Sequence, residues 1–388
     1  MNVAAETVRS QIVAVLGAWG MAEDLVRITA DAMLYSDLAG IDSHGISMLM
    51  AYEDYRAKGK LDLRARPRIV RENPVTALVD AGAGLGHPAA VMAMEMAMRK
   101  AQAMGIGAVS VFNSHHFGPT GYYAALAPKQ GLLGFVTSST HAVNVVPTRG
   151  AVPVLGTNPI AFAAPARRNR PFLLDIATST VAGNKVRIYD LNRKPLPPGW
   201  VLDETGTPIC DAARAMDYIR NRDVGGITPL GGTAEMGNHK GYGLSMMAQI
   251  LGSTLAGGSF SPVRFRTQPE SAPNNIGHFF MAIDPKAFRA DGRFEDDMDV
   301  LIDELHAAAP ADAARPVLVA GDPEAQHCAQ RQRDGIPVAP ALAAQLRAVC
   351  QRCNGPFLMG LTEALPPACA ISAATVYNRT PHAMRQDT

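Results

Sequence analysis

An α/β or α+β fold is what this sequence predicts, on three observations. The chain opens with helical runs that are apolar on one side. Its middle alternates short apolar strands with helical runs, and polar residues gather where those strands end. A length of 388 residues allows two domains, or one with large insertions. With 47% hydrophobic and 18% charged residues the composition is that of a folded globular protein. A formal net charge of +1 leaves no basic stripe for a phosphate backbone, so no nucleic-acid partner is expected. No stretch approaches the ~20 apolar residues of a bilayer span, so no membrane partner is expected either. The start lacks the basic residues and cleavage site of a signal peptide. Five widely spaced cysteines (Cys210, Cys328, Cys350, Cys353, Cys369) argue against a disulfide framework and for a reducing cytoplasm.

The elements follow in order. Residues 1–40 read as two amphipathic helices broken at Gly17–Gly20, the second with Leu25, Ile28, Ala32 and Tyr35 on one face. "DSHGISMLMAYEDYRAKGK" reads as a third helix, N-capped by Asp42 or Ser43 and stopped at Gly59. "ALVDAGAG" is a strand and turn, and "PAAVMAMEMAMRKAQAMG" a helix. "IGAVSVF", "LLGFVTSS" and "FLLDIATST" are strands, the last closing on Asp175. Prolines and glycines between 190 and 235 predict a long ordered surface connection. "HKGYGLSMMAQILGSTLAGG" resumes a helix, followed by the helix "MDVLIDELHAAA", the strand "PVLVAGD" and the helix "PALAAQLRAVCQRC". The expected organisation is a helical segment over 1–72, an α/β core over 73–355 and a loose tail over 356–388.

Four stretches carry candidate chemistry. In "DSHGISMLMAY", a helix starting near Ser43 puts His44 in its first turn, with Met48 and Tyr52 at four-residue steps on the same face. The helix N-terminus would favour neutral imidazole, suited to proton transfer; a plain capping histidine is the alternative. "NSHHFGPTGYY" ends a strand, placing Asn113 to His116 where α/β folds build sites, and its glycines let backbone approach a ligand. Asp175 also closes an apolar strand, so its carboxylate needs a partner such as a histidine or a ribose hydroxyl; otherwise it caps the following turn. In "GGTAEMGNHKGYGL", glycines precede a helix start with His239, Lys240 and Gly241 at its mouth, a natural anion site for a pyrophosphate. By contrast "GAGLGH" from Gly82 misses the dinucleotide spacing and reads as a turn before a helix. Together these pieces fit reversible proton transfer beside a phosphate-bearing cofactor. Two rival readings remain. One is a metal-dependent hydrolase using His44, His116, His239 and Asp175, although HExxH and paired CxxC spacings are absent and no metal is expected. The other is a non-catalytic small-molecule binder on the same fold.

The pieces "DSHG" at 42–45, "NSHHFGPTGYYA" at 113–124, "LGTNPIAFAAP" at 155–165, "DIATS" at 175–179, "HKGYGL" at 239–244, "LVAGDPEA" at 318–325 and "GIP" at 335–337 occur together and in this order. In this the chain resembles the malate/L-lactate dehydrogenase family that is distinct from the Rossmann-type lactate and malate dehydrogenases. That family includes ureidoglycolate, sulfolactate and diketogulonate oxidoreductases and cyclic-imine reductases. The resemblance implies a non-Rossmann mixed sheet flanked by helices, NAD or NADP as cofactor, and a 2-hydroxy/2-oxo acid or related imine as substrate. It implies a homodimer with the site near the subunit boundary. It assigns catalysis to Ser43, His44, His116 and Asp175. Cofactor contacts are assigned to Ser138, Thr140, Asp175, Ala177, Thr178, Ser179, Lys185, Lys240 and Gly321. Met48, Tyr52, Asn113 and Arg149 complete the substrate side. One departure matters: many relatives carry a carboxylate-gripping arginine four residues after the first-motif histidine, where this chain has Met48. A thioether makes no bidentate ion pair, a loss worth about 1.5–3 kcal/mol. Either another cation, with Arg149 a candidate, takes over, or the substrate is not a simple 2-oxo acid.

Overall fold

Seven strands of the computed structural model, which describes residues 1–360, build one mixed sheet. In chain order they are β1 (Arg68–Glu72), β2 (Thr76–Asp80), β3 (Ile106–Ser114), β4 (Leu133–Ser138), β5 (Ile160–Ala164), β6 (Phe172–Ile176) and β7 (Ile276–Ile283). Their spatial order is β1-β2-β3-β7-β4-β5-β6. The β2–β3 pair is parallel and every other neighbouring pair in this sheet is antiparallel. The predicted α/β class is therefore present as a mixed sheet, not as the parallel doubly wound sheet of a Rossmann domain.

The register gathers the polar segments at one end of the sheet. Asp80 lies opposite Phe112, Ser114 opposite Ile276, Ser138 opposite His278, and Ile160 opposite both Thr137 and Ile176. The chain therefore leaves β2, β3, β4 and β6, and enters β5 and β7, at the same edge. That edge holds the loops that begin at Ala81, His115, Ser139 and Ala177.

Twelve α-helices surround the sheet among the described residues: α1 (Ala5–Ala18), α2 (Glu23–Leu38), α3 (Leu49–Ala57), α4 (Gly86–Met104), α5 (Thr120–Ala124), α6 (Gly183–Leu191), α7 (Ala212–Asn221), α8 (His239–Gly252), α9 (Ser261–Thr267), α10 (Phe294–Ala307), α11 (Asp322–Asp334) and α12 (Pro340–Arg352). α4 lies close on the sheet because its inner face is small, with Ala89, Ala90, Ala93, Ala97 and Ala101 all buried. Opposite, a Cβ at Gly107 of β3 would stand 2.2 Å from the Ala97 carbonyl oxygen, so a larger residue there would push the helix off.

Three apolar clusters hold the molecule. One joins α1–α3 to Ile336, Val338, Leu346 and Val349, so the C-terminal helix α12 packs into the N-terminal helices. Gln11 ties the following segment down: its amide donates to the Pro356 carbonyl at 3.0 Å, and its Oε1 accepts from Leu358 N–H at 2.7 Å. The rest of the expected tail, 361–388, lies outside the described residues, as does Cys369. The second cluster is α4, α5 and the sheet. The third is a separate packing unit of Val145, Leu155, Val181, Val186, Val201, Met216 and Ile227.

Several expectations need correction. The 190–235 segment is not an uninterrupted connection. It contains α7, N-capped by the Asp211 carboxylate, which accepts from Arg214 N–H, and a ladder of Val201–Leu202 with Gly226–Ile227, and it owns part of the third cluster. "PVLVAGD" is not a strand; it runs beside β6 through one bond, Leu173 N–H to the Ala320 carbonyl at 3.1 Å. The buried face of α2 holds the expected Leu25 and Ala32 but is wider, adding Val26, Thr29, Ala30 and Met33, while Ile28 and Tyr35 are half-buried at its margin. The central strand β7, "IGHFFMAI", was not anticipated at all.

Candidate active site

The chain passes from α2 to α3 through a tight turn that carries the Ser-His pair. Asp37, buried near the end of α2, accepts the Ile46 N–H at 2.8 Å, and Gly45 sits so close that a Cβ there would meet the Asp37 carboxylate at 1.9 Å. A glycine is thus required for the turn to close over the acid. His44 precedes the helix instead of occupying its first turn: a short 3₁₀ turn, Ile46–Met48, comes between. The expected helix-terminus effect is therefore not what keeps the ring neutral. Burial does that, pushing its pKa down to about 4. Ser43 Oγ lies 2.7 Å from His44 Nδ1 and fixes the ring.

Tyr52, fully buried on α3, places its hydroxyl 2.7 Å from His116 Nδ1. The His116 ring centre is 5.3 Å from that of His44, with the planes tilted by 35°. Burial, and the neighbouring rings of His44, His87, His115 and His278, hold His116 well below the ordinary histidine range. Two imidazoles from segments 72 residues apart thus share one half-buried space with a phenol behind one of them.

Three further histidines, not assigned in the sequence analysis, brace the site. His115 Nδ1 accepts the His116 N–H at 2.9 Å, while its Nε2 lies 2.7 Å from the Asn274 amide. His278 on β7 joins the ends of two strands: its Nε2 is 2.9 Å from Ser114 Oγ on β3 and its Nδ1 is 2.8 Å from Ser138 Oγ on β4. His87, the last residue of "GAGLGH", is fully buried on the first turn of α4 with neither ring nitrogen hydrogen-bonded. Burial lowers all three to about 3. Gly86 permits the crowding, since a Cβ there would stand 2.5 Å from the His115 carbonyl. As expected, that glycine stretch is a turn before a helix.

Asp175 lies at the same end of the sheet, where its Oδ2 accepts Gly121 N–H at 2.8 Å; burial raises its pKa to about 6. It supports the start of α5, and none of its described hydrogen bonds goes to a histidine. The Asn113 side chain is committed elsewhere, donating to Asp80 Oδ1 at 2.9 Å, with its backbone left-handed at φ 52°. Met48 is half-buried against the N-terminal core. Arg149 is exposed, on the loop whose Thr148 bonds Asn238 at 2.9 Å, and so borders the glycine-rich segment and not the histidines.

The segments assigned to the cofactor converge through Asn158. Its Oδ1 accepts from Thr140 N–H at 3.2 Å, its Nδ2 donates to the Ser245 carbonyl on α8 at 3.1 Å, and its carbonyl accepts from Thr178 Oγ1 at 3.0 Å. Ser179 follows, its hydroxyl turned to the Val181 carbonyl at 2.9 Å. Gly241 packs on Leu230, whose N–H donates to the Thr178 carbonyl at 2.9 Å. Ala177 links β6 to this knot. The Ser138 hydroxyl is buried and spent on His278 and the Ser139 carbonyl. His239 and Lys240 stand exposed at the mouth of α8 behind Gly231, Gly232 and Gly237, all at positive φ. Lys185 is set apart on α6, its ammonium 5.2 Å from the Trp200 ring centre. Gly321 caps α11 beside Leu173, away from this knot in the described contacts.

These residues fit a nicotinamide dinucleotide. The Gln249 Nε2 of α8 and the Asn144 Oδ1 are buried without a hydrogen bond, an unmatched donor and acceptor of the kind a carboxamide satisfies. The start of α8 and Lys240 supply amides and a cation for a diphosphate. The metal reading, by contrast, finds no support: among the described residues no group of three His, Cys, Asp or Glu side chains is placed to hold an ion.

Comparison with known proteins agrees with this geometry. The family model described as malate/L-lactate dehydrogenase matches residues 3–347. A malate dehydrogenase of Pyrococcus abyssi is 36% identical over 344 residues, covering 88% of this chain and 92% of that protein. An L-sulfolactate dehydrogenase of Methanocaldococcus jannaschii is 32% identical, covering 89% and 95%. The crystal structure of malate dehydrogenase from Entamoeba histolytica superposes with a TM-score of 0.86 at 30% identity, covering 92% of this chain and 99% of that one. With a mixed sheet in place of a Rossmann domain, and paired histidines at its loop-bearing edge, the chain belongs to the malate/L-lactate dehydrogenase family and is a nicotinamide-dependent oxidoreductase acting on CH–OH groups.

Proposed function

We propose that this enzyme interconverts a 2-hydroxy acid and its 2-oxo acid, with NAD or NADP as cofactor and His116 as the proton-transferring group. The observation that carries the reading is the Tyr52–His116 hydrogen bond beside the His44 ring. The bound nicotinamide supplies or accepts the hydride at the substrate carbon. In the oxidative direction His116 Nε2 takes the hydroxyl proton, and in the reductive direction the imidazolium returns a proton to the carbonyl oxygen. With Nε2 as the proton-transferring atom, Nδ1 keeps its hydrogen in both directions and donates it to the Tyr52 hydroxyl, which holds the ring in the tautomer that leaves Nε2 free. Burial disfavours the imidazolium, and a substrate carboxylate beside the ring offsets that penalty. His44, steadied by Ser43, orients the substrate oxygen from the other side. Asp175 holds the 118–121 turn behind His116.

The cofactor's diphosphate would rest on the start of α8 and Lys240, and its nicotinamide end near Thr140, Asn158 and Gln249. A homodimer is supported by the apolar face that α8 and its neighbours expose, with Leu244, Met247, Ile250, Leu255, Phe260 and Phe265. A cytoplasmic location is in keeping with free cysteines at 210, 328, 350 and 353. The test is a screen for oxidation of NADH and NADPH against 2-oxo acids and cyclic imines, with His44→Ala and His116→Ala as controls. Wild-type rates in both variants would remove the assignment.

A further inference from the structure

The hydrogen bonds behind His116 do not close on themselves. For Nε2 to take a hydroxyl proton, Nδ1 has to carry the hydrogen of the neutral ring. Two donors press the opposite way. The Tyr52 hydroxyl stands 2.7 Å from Nδ1, and Gly118 N–H approaches the same atom at 3.4 Å. If Tyr52 donates to Nδ1, the ring hydrogen sits on Nε2 and the base is lost. The phenol has to accept from Nδ1 instead and send its own O–H to another group. Among the described residues His116 is the only hydrogen-bond partner of the Tyr52 hydroxyl, and Tyr52 is fully buried. A buried O–H left without an acceptor is costly.

One neighbour has the complementary need. His87, on the first turn of α4, is fully buried and neither of its ring nitrogens has a hydrogen bond. The ring centres of Tyr52, His87 and His116 form a nearly equilateral triangle. They stand 5.8 Å apart from Tyr52 to His116, 6.0 Å from Tyr52 to His87 and 6.4 Å from His87 to His116. Gly118, in the loop that carries His116, packs on His87, where a Cβ would lie 3.1 Å from Nε2. The other titratable groups that act on His87 are His44, His115 and His278. His115 and His278 have both ring nitrogens engaged, and His44 is held by Ser43. His87, kept neutral by burial, is the imidazole with a lone pair to give.

We infer that His87 is a positioning residue for proton transfer: it accepts the Tyr52 O–H across one shared water, which turns the phenol oxygen to His116 Nδ1–H and leaves Nε2 bare as the base. The inference rests on the reading of His116 above and adds a residue to it. A water fits this place because the phenol and the imidazole give it the two polar partners it needs, and no direct bond joins them. The effect of His87 passes through Tyr52.

The experiment is a double-mutant cycle. It measures kcat and KM for oxaloacetate and for pyruvate with NADH and NADPH in wild type, His87→Leu, His87→Gln, Tyr52→Phe and the His87→Leu/Tyr52→Phe double variant, with thermal melts of each. His87→Leu is expected to lower kcat about three- to tenfold, with KM within about twofold of wild type. His87→Gln, whose amide oxygen accepts in place of the imidazole, should recover most of the loss. In the Tyr52→Phe background His87→Leu should cost nothing further, because the O–H it served is gone. Losses that multiply in the double variant, or equal losses in the Leu and Gln variants, would reduce His87 to a packing residue and overturn the inference. A KM rise with kcat unchanged would make it a ligand contact and overturn it as well. A crystal structure of the wild-type enzyme with NADH gives a readout that needs neither variant nor turnover. One water within hydrogen-bond distance of both Tyr52 Oη and a His87 nitrogen supports the inference; a Tyr52 hydroxyl that donates elsewhere, or no such water, overturns it. Wild-type rates in His116→Ala would remove the proton-transfer reading instead, and the crystal structure would still decide whether His87 takes the Tyr52 proton.

Discussion

Around the paired histidines, Tyr52, His115 and His278 are buried and both ring nitrogens of His115 and His278 have partners. At the glycine-rich start of α8, His239 and Lys240 stand exposed and the backbone turns through glycines at positive φ. The difference is physical economy. Groups that exchange protons need fixed geometry and a dry setting, which only packing supplies. Cations that meet a diphosphate can wait in water, where an unpaired charge costs little.

Four experiments break or sharpen this contrast. The largest effect is expected on the packed side: His116→Ala should lose about 10²–10⁴ in kcat with its melting temperature little changed, read by steady-state kinetics and thermal melts. Next comes acid. His44 and His141 are pushed to about 4, and His87, His115 and His278 to about 3. Their folded values lie below the ordinary 6.5, so the stability they contribute is present above 6.5 and is lost as pH falls toward 3–4; His44 alone accounts for about 3 kcal/mol. Buried Asp37 and Asp175, raised to about 7 and about 6, slope the other way and lose stability as pH rises through those values. With His116, also held well below its ordinary value by burial, six histidines outweigh two carboxylates, so the melting temperature should drop steeply between pH 6 and 4; a flat profile would contradict the dry-pocket picture. Third, Tyr52→Phe keeps the ring and deletes one hydrogen bond to His116, and should lower kcat about tenfold, with a shift in its pH profile. Smallest, Lys240→Ala on the open side should raise the cofactor KM a few-fold to about tenfold while kcat stays within about a factor of two.

Much of this was legible from residue order. The helices α1, α2, α4, α8, α10 and α12 announce themselves by period, and the histidine motifs by their place at strand ends. β7 was not, because "IGHFFMAI" is buried on both faces and so shows no alternation. With it went His278, which reads as one more polar residue in an apolar run. α7 hides among prolines and glycines, although its inner face of Ala212, Ala215, Met216 and Tyr218 has helical spacing. His87 looked like the end of a glycine turn. Arg264 sits in "SPVRFRTQPE", which reads as a solvated segment; only the fold shows that it is enclosed and unpaired.

His278 makes the sheet a ruler. Because β7 separates β3 from β4, the strand that delivers His116 and the strand that delivers the Ser138–Thr140 loop stand two strand spacings apart, about 10 Å, and one imidazole, level with Ser138 and bonded to Ser114 beyond the β7 bulge, ties their ends together. The distance between the roots of the His116 loop and the Ser138–Thr140 loop is thereby set by strand spacing, so changes within either loop leave those roots where the sheet puts them.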